Sequence, residues 1–372
     1  FLPSITLSGD QTSTTSSNRT NQSGSALDDT NQDSESKSIT LEQKIFSGFK
    51  GVNTFKKSEL ENQKAKLKFN QAEQDTILNT AIAYFDLIFK LKNEKFNFLN
   101  QNLFERQVEF DSARLQKGEI TLTDLAQSES SLAGANANLI KAKTEFLSSK
   151  KNFERVTSEK IPSIDSLSEI FFLKLPVSLD DSLNLSNLNN LDLIISKLDY
   201  EIAKKDLNIE KSRLSPTASI KVSKSENDDF SATIDEKDDE TIKASITWPL
   251  LKGGENISSI KKSSFDKERS KLILQDTKNK MLTETTNSWS NFQSYKSVLE
   301  ATKAQLKAAE IANEGITLEY DSGNTRTTLE VIQSRSLLLD ARISFARAER
   351  DFMISQFELA KQIGTLSINL LK

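Results

Sequence analysis

Two hydrophobic patterns alternate along the chain, and each occurs twice. The first has period two. Residues 3–9 set Ile5 and Leu7 against Thr6 and Ser8, and residues 37–46 set Ile39 and Leu41 against Ser38 and Thr40. Residues 217–225 carry Ile220 and Val222. Residues 241–249 are clearest, with Ile242, Ala244, Ile246 and Trp248 against Thr241, Lys243, Ser245 and Thr247. This spacing predicts strands with one apolar face. The second pattern is helical. After Gly51 neither Pro nor Gly occurs up to Lys117, and Ile77, Ala81, Tyr84, Ile88 and Leu91 keep heptad spacing. A helix of about 65 residues spans on the order of 100 Å. The stretch from about Gly254 to Asp321 has the same reach. Gly118 and Gly323 end the two long helices. Shorter helices follow, with inward positions Leu132, Ala135, Leu139, Ala142 and Phe146, then Leu338, Ala341, Phe345, Ala348 and Phe352.

The recurrence is an internal duplication. Ile45-Phe46-Ser47-Gly48 aligns with Leu250-Leu251-Lys252-Gly253 at a shift of 205, as do Ala83-Tyr84-Phe85-Asp86 with Ser288-Trp289-Ser290-Asn291, and Gly118 with Gly323. Asn324 is one extra residue, and beyond it the shift is 206: Gln127-Ser128 aligns with Gln333-Ser334, and Phe146 with Phe352. A shift held over about 100 residues marks a repeated strand–strand–long-helix–helix unit.

Segments 10–36 and 226–240 are polar or acidic and read as solvent-facing loops between strands. The acidic run 226–240 has no recognisable cation-loop spacing. Segment 161–189, with Pro162 and Pro176, reads as a linker or small side domain, and 190–213 as a further helix before Pro216. No such helix precedes Pro3, so helical residues are expected upstream of Phe1. The chain opens Phe1-Leu2-Pro3 with no Met and no basic segment, as expected of a fragment or of a chain whose leader has been removed.

Composition narrows the function. None of the 372 residues is His or Cys, which removes the usual general base, the commonest metal ligand and any disulfide. An enzyme, a metal site and a cofactor are therefore not expected. Forty-nine basic and 53 acidic residues give a net charge of −4, without the basic surplus of a nucleic-acid binder. Mean hydropathy is −0.48. No stretch approaches the roughly 18 apolar residues of a spanning helix. A membrane role would have to use the strands, and four strands cannot close a barrel, whose smallest form has about eight. The chain would then have to oligomerise. Heptad stripes and small residues such as Ala133, Gly134, Ala135 and Ala137 suit close helix neighbours. The competing reading is a soluble structural coiled coil, or scaffold, with incidental strands.

The chain resembles the outer membrane efflux protein family, of which TolC is the type. The resemblance covers nearly its whole length. It rests on Leu2-Pro3, on Trp248-Pro249-Leu250-Leu251-Lys252-Gly253-Gly254, on Leu175-Pro176-Val177-Ser178-Leu179-Asp180-Asp181, on Tyr320-Asp321-Ser322-Gly323-Asn324-Thr325-Arg326-Thr327 and on Gln362-Ile363-Gly364-Thr365-Leu366. It implies a mainly α fold with a small β part. Three chains would build an α-helical barrel continuous with a 12-stranded β-barrel, four strands per chain. On this reading 1–50 and 216–252 are barrel hairpins, 51–160 and 253–372 are tunnel helix pairs, the last with a C-terminal segment, and 161–215 is a linker and equatorial segment. The function implied is a passive exit duct through the Gram-negative outer membrane, with the helical tunnel in the periplasm. The implied partners are a periplasmic adaptor (membrane fusion) protein, an inner-membrane pump of RND or ABC type, outer-membrane lipid and two further copies of the chain.

Individual positions carry over. Thr123 and Asp124, then Tyr320 and Arg326, match family residues whose hydrogen bonds and ion pairs hold the tunnel tip closed. Glu330 falls at an aspartate ring lining the aperture, where three carboxylates near one axis would attract cations. Gln333 falls at a second such ring and is uncharged. Asn324 lengthens the second turn and alters the setting of Arg326. Phe46 and Trp248 read either as aromatic anchors at the membrane boundary or as core residues at the strand–helix junction.

Overall fold

The structure, a computed structural model, describes residues 2–160, 173–231, 234–322 and 326–368. The order is β1 (Ser4–Ser16), β2 (Arg19–Thr20), β3 (Ala26–Leu27), β4 (Thr30–Ser47), α1 (Lys50–Gln116) and α2 (Leu122–Thr157). Then come α3 (Leu179–Asn189), α4 (Leu191–Lys211), a 3-10 turn (Ser212–Leu214), β5 (Thr217–Ser231), β6 (Ile234–Thr247), α5 (Glu255–Asp321) and α6 (Thr328–Gln362). Both long helices have 67 residues. The chain divides into two units, Phe1–Lys64 with Ser196–Leu274, and Ala65–Ile195 with Gln275–Lys372.

The first unit holds an antiparallel sheet in the order β1-β4-β5-β6, with β1 and β6 at its edges. Register sets Ile5 beside Leu41, Leu41 beside Val222 and Val222 beside Ile242, an unbroken apolar row across four strands. Phe46, Ala218 and Ile246 form a second row, and Leu7 pairs with Ile39 on the other side. These rows share one face and lie about 20 Å apart end to end, since alternate residues on a strand are about 6.7 Å apart. That face is exposed: Leu7 is 80%, Ile242 79% and Ile246 81% accessible. The half-buried face of β4 carries Ser34, Ser36, Ser38 and Thr40. A sheet with water on one side normally hides its apolar face. Here the sense is inverted, apolar outward and polar inward, as on a strand wall facing lipid.

The strands are longer than the alternation predicts, and this corrects the two loops. Pairing runs from Ser4–Glu42 through Ser16–Thr30, so most of 10–36 is strand. Residues 224–228 pair with 236–240 as well, and beyond an irregularity Ser231 lies opposite Ile234. Apart from Phe230 and Ile234, both faces there are polar, so periodicity carries no signal. The ladder continues because each further pair in register satisfies backbone groups, assisted by Ser8–Ser38 at 2.8 Å and Thr15–Asn31 at 2.9 Å. In the same unit Lys57 reaches Asp206 at 2.8 Å and Lys64 pairs with Asp199, strapping α4 along α1.

The second unit is held by apolar packing. Ala81, Phe85 and Ile88 of α1 meet Phe352, Met353, Phe357 and Ala360 of α6, with Leu173 and Leu366. Phe292 of α5 stacks on Phe352 at 5.7 Å between centroids. The heptad positions Ala81 and Ile88 are buried, and so are Ala83, Phe85, Leu87 and Phe89. Helix α1 is thus buried more widely here than a single seam requires. The expected linker contains a helix, α3, which corrects that reading. Its N-cap Ser178 accepts from Asp181 N at 3.1 Å, and its inward residues are Ser182 and Ser186. Serines on the inner face hid it from a hydrophobic count. Ser186 and Asn190 both donate to the carbonyl of Gln362, at 3.1 and 3.0 Å, fixing this region to the C-terminal segment. Pro162 and the remainder of 161–172 lie outside the described residues.

Candidate functional site

Apart from Phe46 and Trp248, the residues singled out by the sequence gather where α1 turns into α2 and α5 into α6, both within the second unit. Gly118, φ +76°, follows the end of α1. Its amide donates to Leu115 O at 2.9 Å and that of Glu119 to Arg114 O at 2.9 Å, so the last carbonyls of the helix are satisfied. Gly323 and Asn324, the matching part of the second turn, lie outside the described residues.

Each following helix starts with the same device. Thr121 caps α2: its hydroxyl accepts from Asp124 N at 3.3 Å, while Asp124 Oδ2 accepts from Thr121 N at 2.9 Å and from its hydroxyl at 2.7 Å. Thr327 caps α6 likewise. Glu330 Oε2 accepts from Thr327 N at 2.8 Å and from its hydroxyl at 3.1 Å, and Glu330 N donates back at 3.3 Å. These are reciprocal capping boxes with a carboxylate in the favourable first turn. Thr121 and Asp124 correspond to Thr327 and Glu330 at the shift of 206. The hydroxyl and then the amide of Thr121 hold the Asp124 carboxyl below its ordinary range. The amide of Thr327, then Arg326 and the Thr327 hydroxyl, do the same for Glu330.

Within one chain, Asp124 and Arg326 bond to other groups. Arg326 Nε donates to Glu319 at 2.6 Å and Nη1 to Glu330 at 3.0 Å, bracing the second turn from both sides. Glu319 and then Glu330 raise the Arg326 guanidinium above its ordinary value. Thr123, in the first turn of α2, and Gln333, in the second turn of α6, are exposed. Phe46 and Trp248, in the first unit, are both exposed. Phe46 sits edge-on to Phe49 at 5.8 Å, and Trp248 Nε1 donates to Leu214 O at 3.1 Å.

Tyr320 leads inward, to residues the sequence reading missed. Its hydroxyl donates to Asp111 Oδ1 at 2.8 Å. Asp111 also accepts from Gln107 Nε2 at 2.9 Å and from Ser128 Oγ at 2.5 Å. Thr328 Oγ1 lies 3.0 Å from the Tyr320 oxygen. The Tyr320 hydrogen is committed to Asp111, so the Thr328 hydroxyl is the donor of that pair. Burial, reinforced by Asp111, raises the Tyr320 phenol above its ordinary value. Arg114 lies over the Tyr320 ring, 5.1 Å from its centroid. A signal was present in the sequence: buried positions Asn97, Asn100, Phe104, Gln107 and Asp111 keep heptad spacing, and four of the five are polar. Among the described residues no cluster of His, Cys or carboxylates could hold a metal ion, and no helix is long and apolar enough to cross a membrane.

Comparison with known proteins agrees with the fold. The family model described as outer membrane efflux protein matches residues 1–157 and 183–365. Outer membrane efflux protein BepC of Brucella suis is 23% identical over 330 residues, covering 88% of this chain and 72% of that protein. Outer membrane protein TolC of Escherichia coli K12 is 21% identical over 353 residues, covering 91% and 71%. The crystal structure of the Campylobacter jejuni CmeC outer membrane channel superposes with a TM-score of 0.81 at 16% identity, covering 98% of this chain and 78% of that one. The chain belongs to the outer membrane efflux protein family, and it is accordingly a channel protein of the Gram-negative outer membrane rather than an enzyme.

Proposed function

We propose that the chain is one protomer of a homotrimeric exit duct serving a tripartite efflux or type I secretion system. The observation that carries this is the inverted sheet. An apolar row, Ile5–Leu41–Val222–Ile242, is exposed on a four-stranded sheet with two unpaired edges. Three copies joined edge to edge would supply twelve strands, enough to close a barrel and bury every edge. A water-soluble scaffold has no use for such a face. In this reading 1–50 and 216–252 form the barrel, 51–160 and 253–372 the tunnel, and 161–215 the girdle around it. Phe46 and Trp248 sit at the lipid boundary. Cargo passes without being altered.

The helix turns form the gate. Thr123, Asp124, Tyr320, Arg326, Glu330 and Gln333 hold or line the closed tip, and docking of an adaptor and an inner-membrane pump opens it. The bracing of Arg326 by two exposed glutamates supports a weak latch, since exposed pairs contribute only about 0.2–1 kcal/mol. The test is extraction in detergent, mass measurement and reconstitution into a planar bilayer. A trimer with a small resting conductance is expected. A monomer that conducts no current sinks the proposal.

A further inference from the structure

We infer that Asp111 is the positioning residue of the gate: one buried carboxylate that binds all four helix ends together and lets them part as a set. The inference rests on the gate reading above and assigns a residue that reading lacks.

The geometry is convergent. Asp111 and Ser128 are fully buried, and Thr328, Gln107 and Tyr320 are 3%, 4% and 4% exposed. The donors arrive from different elements: Gln107 from α1 itself, Ser128 from α2, Tyr320 from α5, and Thr328 of α6 through the Tyr320 hydroxyl. An ionised carboxylate accepts and never donates, so three donors can share it without conflict. Hydrogen bonds to a charged group are also the strong ones. Asparagine, of nearly the same size, offers one acceptor oxygen and adds two hydrogens. One of these would face a donor, either Ser128 or the Tyr320–Gln107 pair. The duplication sharpens the point. At the shift of 205 the second copy has Ile316 where the first has Asp111, so this is a device of one turn only. In the second copy Ser334, the counterpart of Ser128, lies 3.4 Å from Asn313 Oδ1.

A residue that served stability alone would change the melting of the trimer and leave the resting current alone. A positioning residue changes the current. The experiment compares full-length wild type, Asp111→Asn, Tyr320→Phe, the double variant, Ser128→Ala and Arg326→Ala, each as the detergent-extracted oligomer in a planar bilayer. Asp111→Asn is expected to raise the mean resting conductance at least fivefold with oligomer mass unchanged. Tyr320→Phe and Ser128→Ala should give about twofold each, and adding Tyr320→Phe to Asp111→Asn should add nothing. Wild-type resting current in assembled Asp111→Asn overturns the inference. If Asp111→Asn does not assemble, wild-type current in both Ser128→Ala and Tyr320→Phe overturns it equally. Arg326→Ala separates the two ideas. If it opens the channel and Asp111→Asn does not, the hub fails and the gate stands. If neither changes the current, the gate reading fails as well.

Discussion

The same helices are held together in two different ways along the second unit. Around Phe85, α1 meets α6 through Ile88, Phe352, Phe357 and Ala360. Around Asp111 it meets its neighbours through Gln107, Ser128, Tyr320 and Thr328. Separating the first region exposes aromatic surface. Each buried aromatic or aliphatic side chain there is worth about 2–3 kcal/mol of transfer free energy, and water offers nothing in return. Separating the second region releases hydrogen-bonding groups that water can satisfy. The net worth of such bonds is about 1 kcal/mol each, somewhat more to the carboxylate. The middle is therefore suited to permanence, and the turns to reversible parting.

The contrast can be broken by substitution. The largest effect is expected in the middle: Phe357→Ala should cost about 3–5 kcal/mol of stability in a denaturant titration and leave resting conductance unaltered. A change in conductance without loss of stability would reverse the assignment of the two regions. Two positive-φ glycines of the second unit come next. At Gly364, φ +74°, an added Cβ would lie 2.2 Å from Asn189 O, whereas at Gly118, φ +76°, it would meet nothing within 4 Å. Gly364→Ala should thus lower the thermal midpoint clearly more than Gly118→Ala, whose cost is the conformational penalty alone, about 1–2 kcal/mol. Equal costs would mean the C-terminal segment is less tightly packed than the middle it adjoins.

At the turns the effects are smaller. Thr327→Ala removes a capping hydroxyl, about 1 kcal/mol, and amide exchange should quicken in the first turn of α6 but not around Phe352. Uniform quickening would show that the two regions do not open independently. The smallest effect is that of pH. Asp124 and Glu330 have carboxyls held below their ordinary range, so their contribution is complete above about pH 4, the usual carboxylate value, and is lost as pH falls through their lowered values. Exchange in the first turns of α2 and α6 should be unchanged by the capping boxes between pH 7 and 5, after correction for intrinsic rates, and should rise below pH 4. A rise already complete at pH 5 would contradict the bonding described.

Much of this was legible in the chain. The fixed shifts exposed the duplication, and the stripes Leu338–Ala341–Ala348 and Ala135–Leu139–Ala142 are buried as their spacing requires. The turns were located by Gly118 and by the motif beginning at Tyr320. Two kinds of feature escaped. Apart from Phe230 and Ile234, the outer halves of β1, β4, β5 and β6 are polar on both faces, and α3 turns serines inward, so neither shows a hydrophobic period. The partners of Tyr320 were also missed, because Asp111 lies 209 residues away along the chain. Heptad spacing from Asn97 to Asp111 marks the position as inward, but no local pattern names the partners of a buried carboxylate.

Sequence alone determined what depends on neighbours along the chain: which residues can face lipid, where helices must end, and that one unit occurs twice. Period and propensity act over a few residues, and repetition is visible without folding. Tertiary structure decided what depends on residues brought together from afar. It extended the strands by pairing rather than by pattern. It used Glu330 to cap its own helix and to hold Arg326. It also placed a charge where a hydrophobic residue would ordinarily sit, because donors from three helices converge there to offset the cost of burying it.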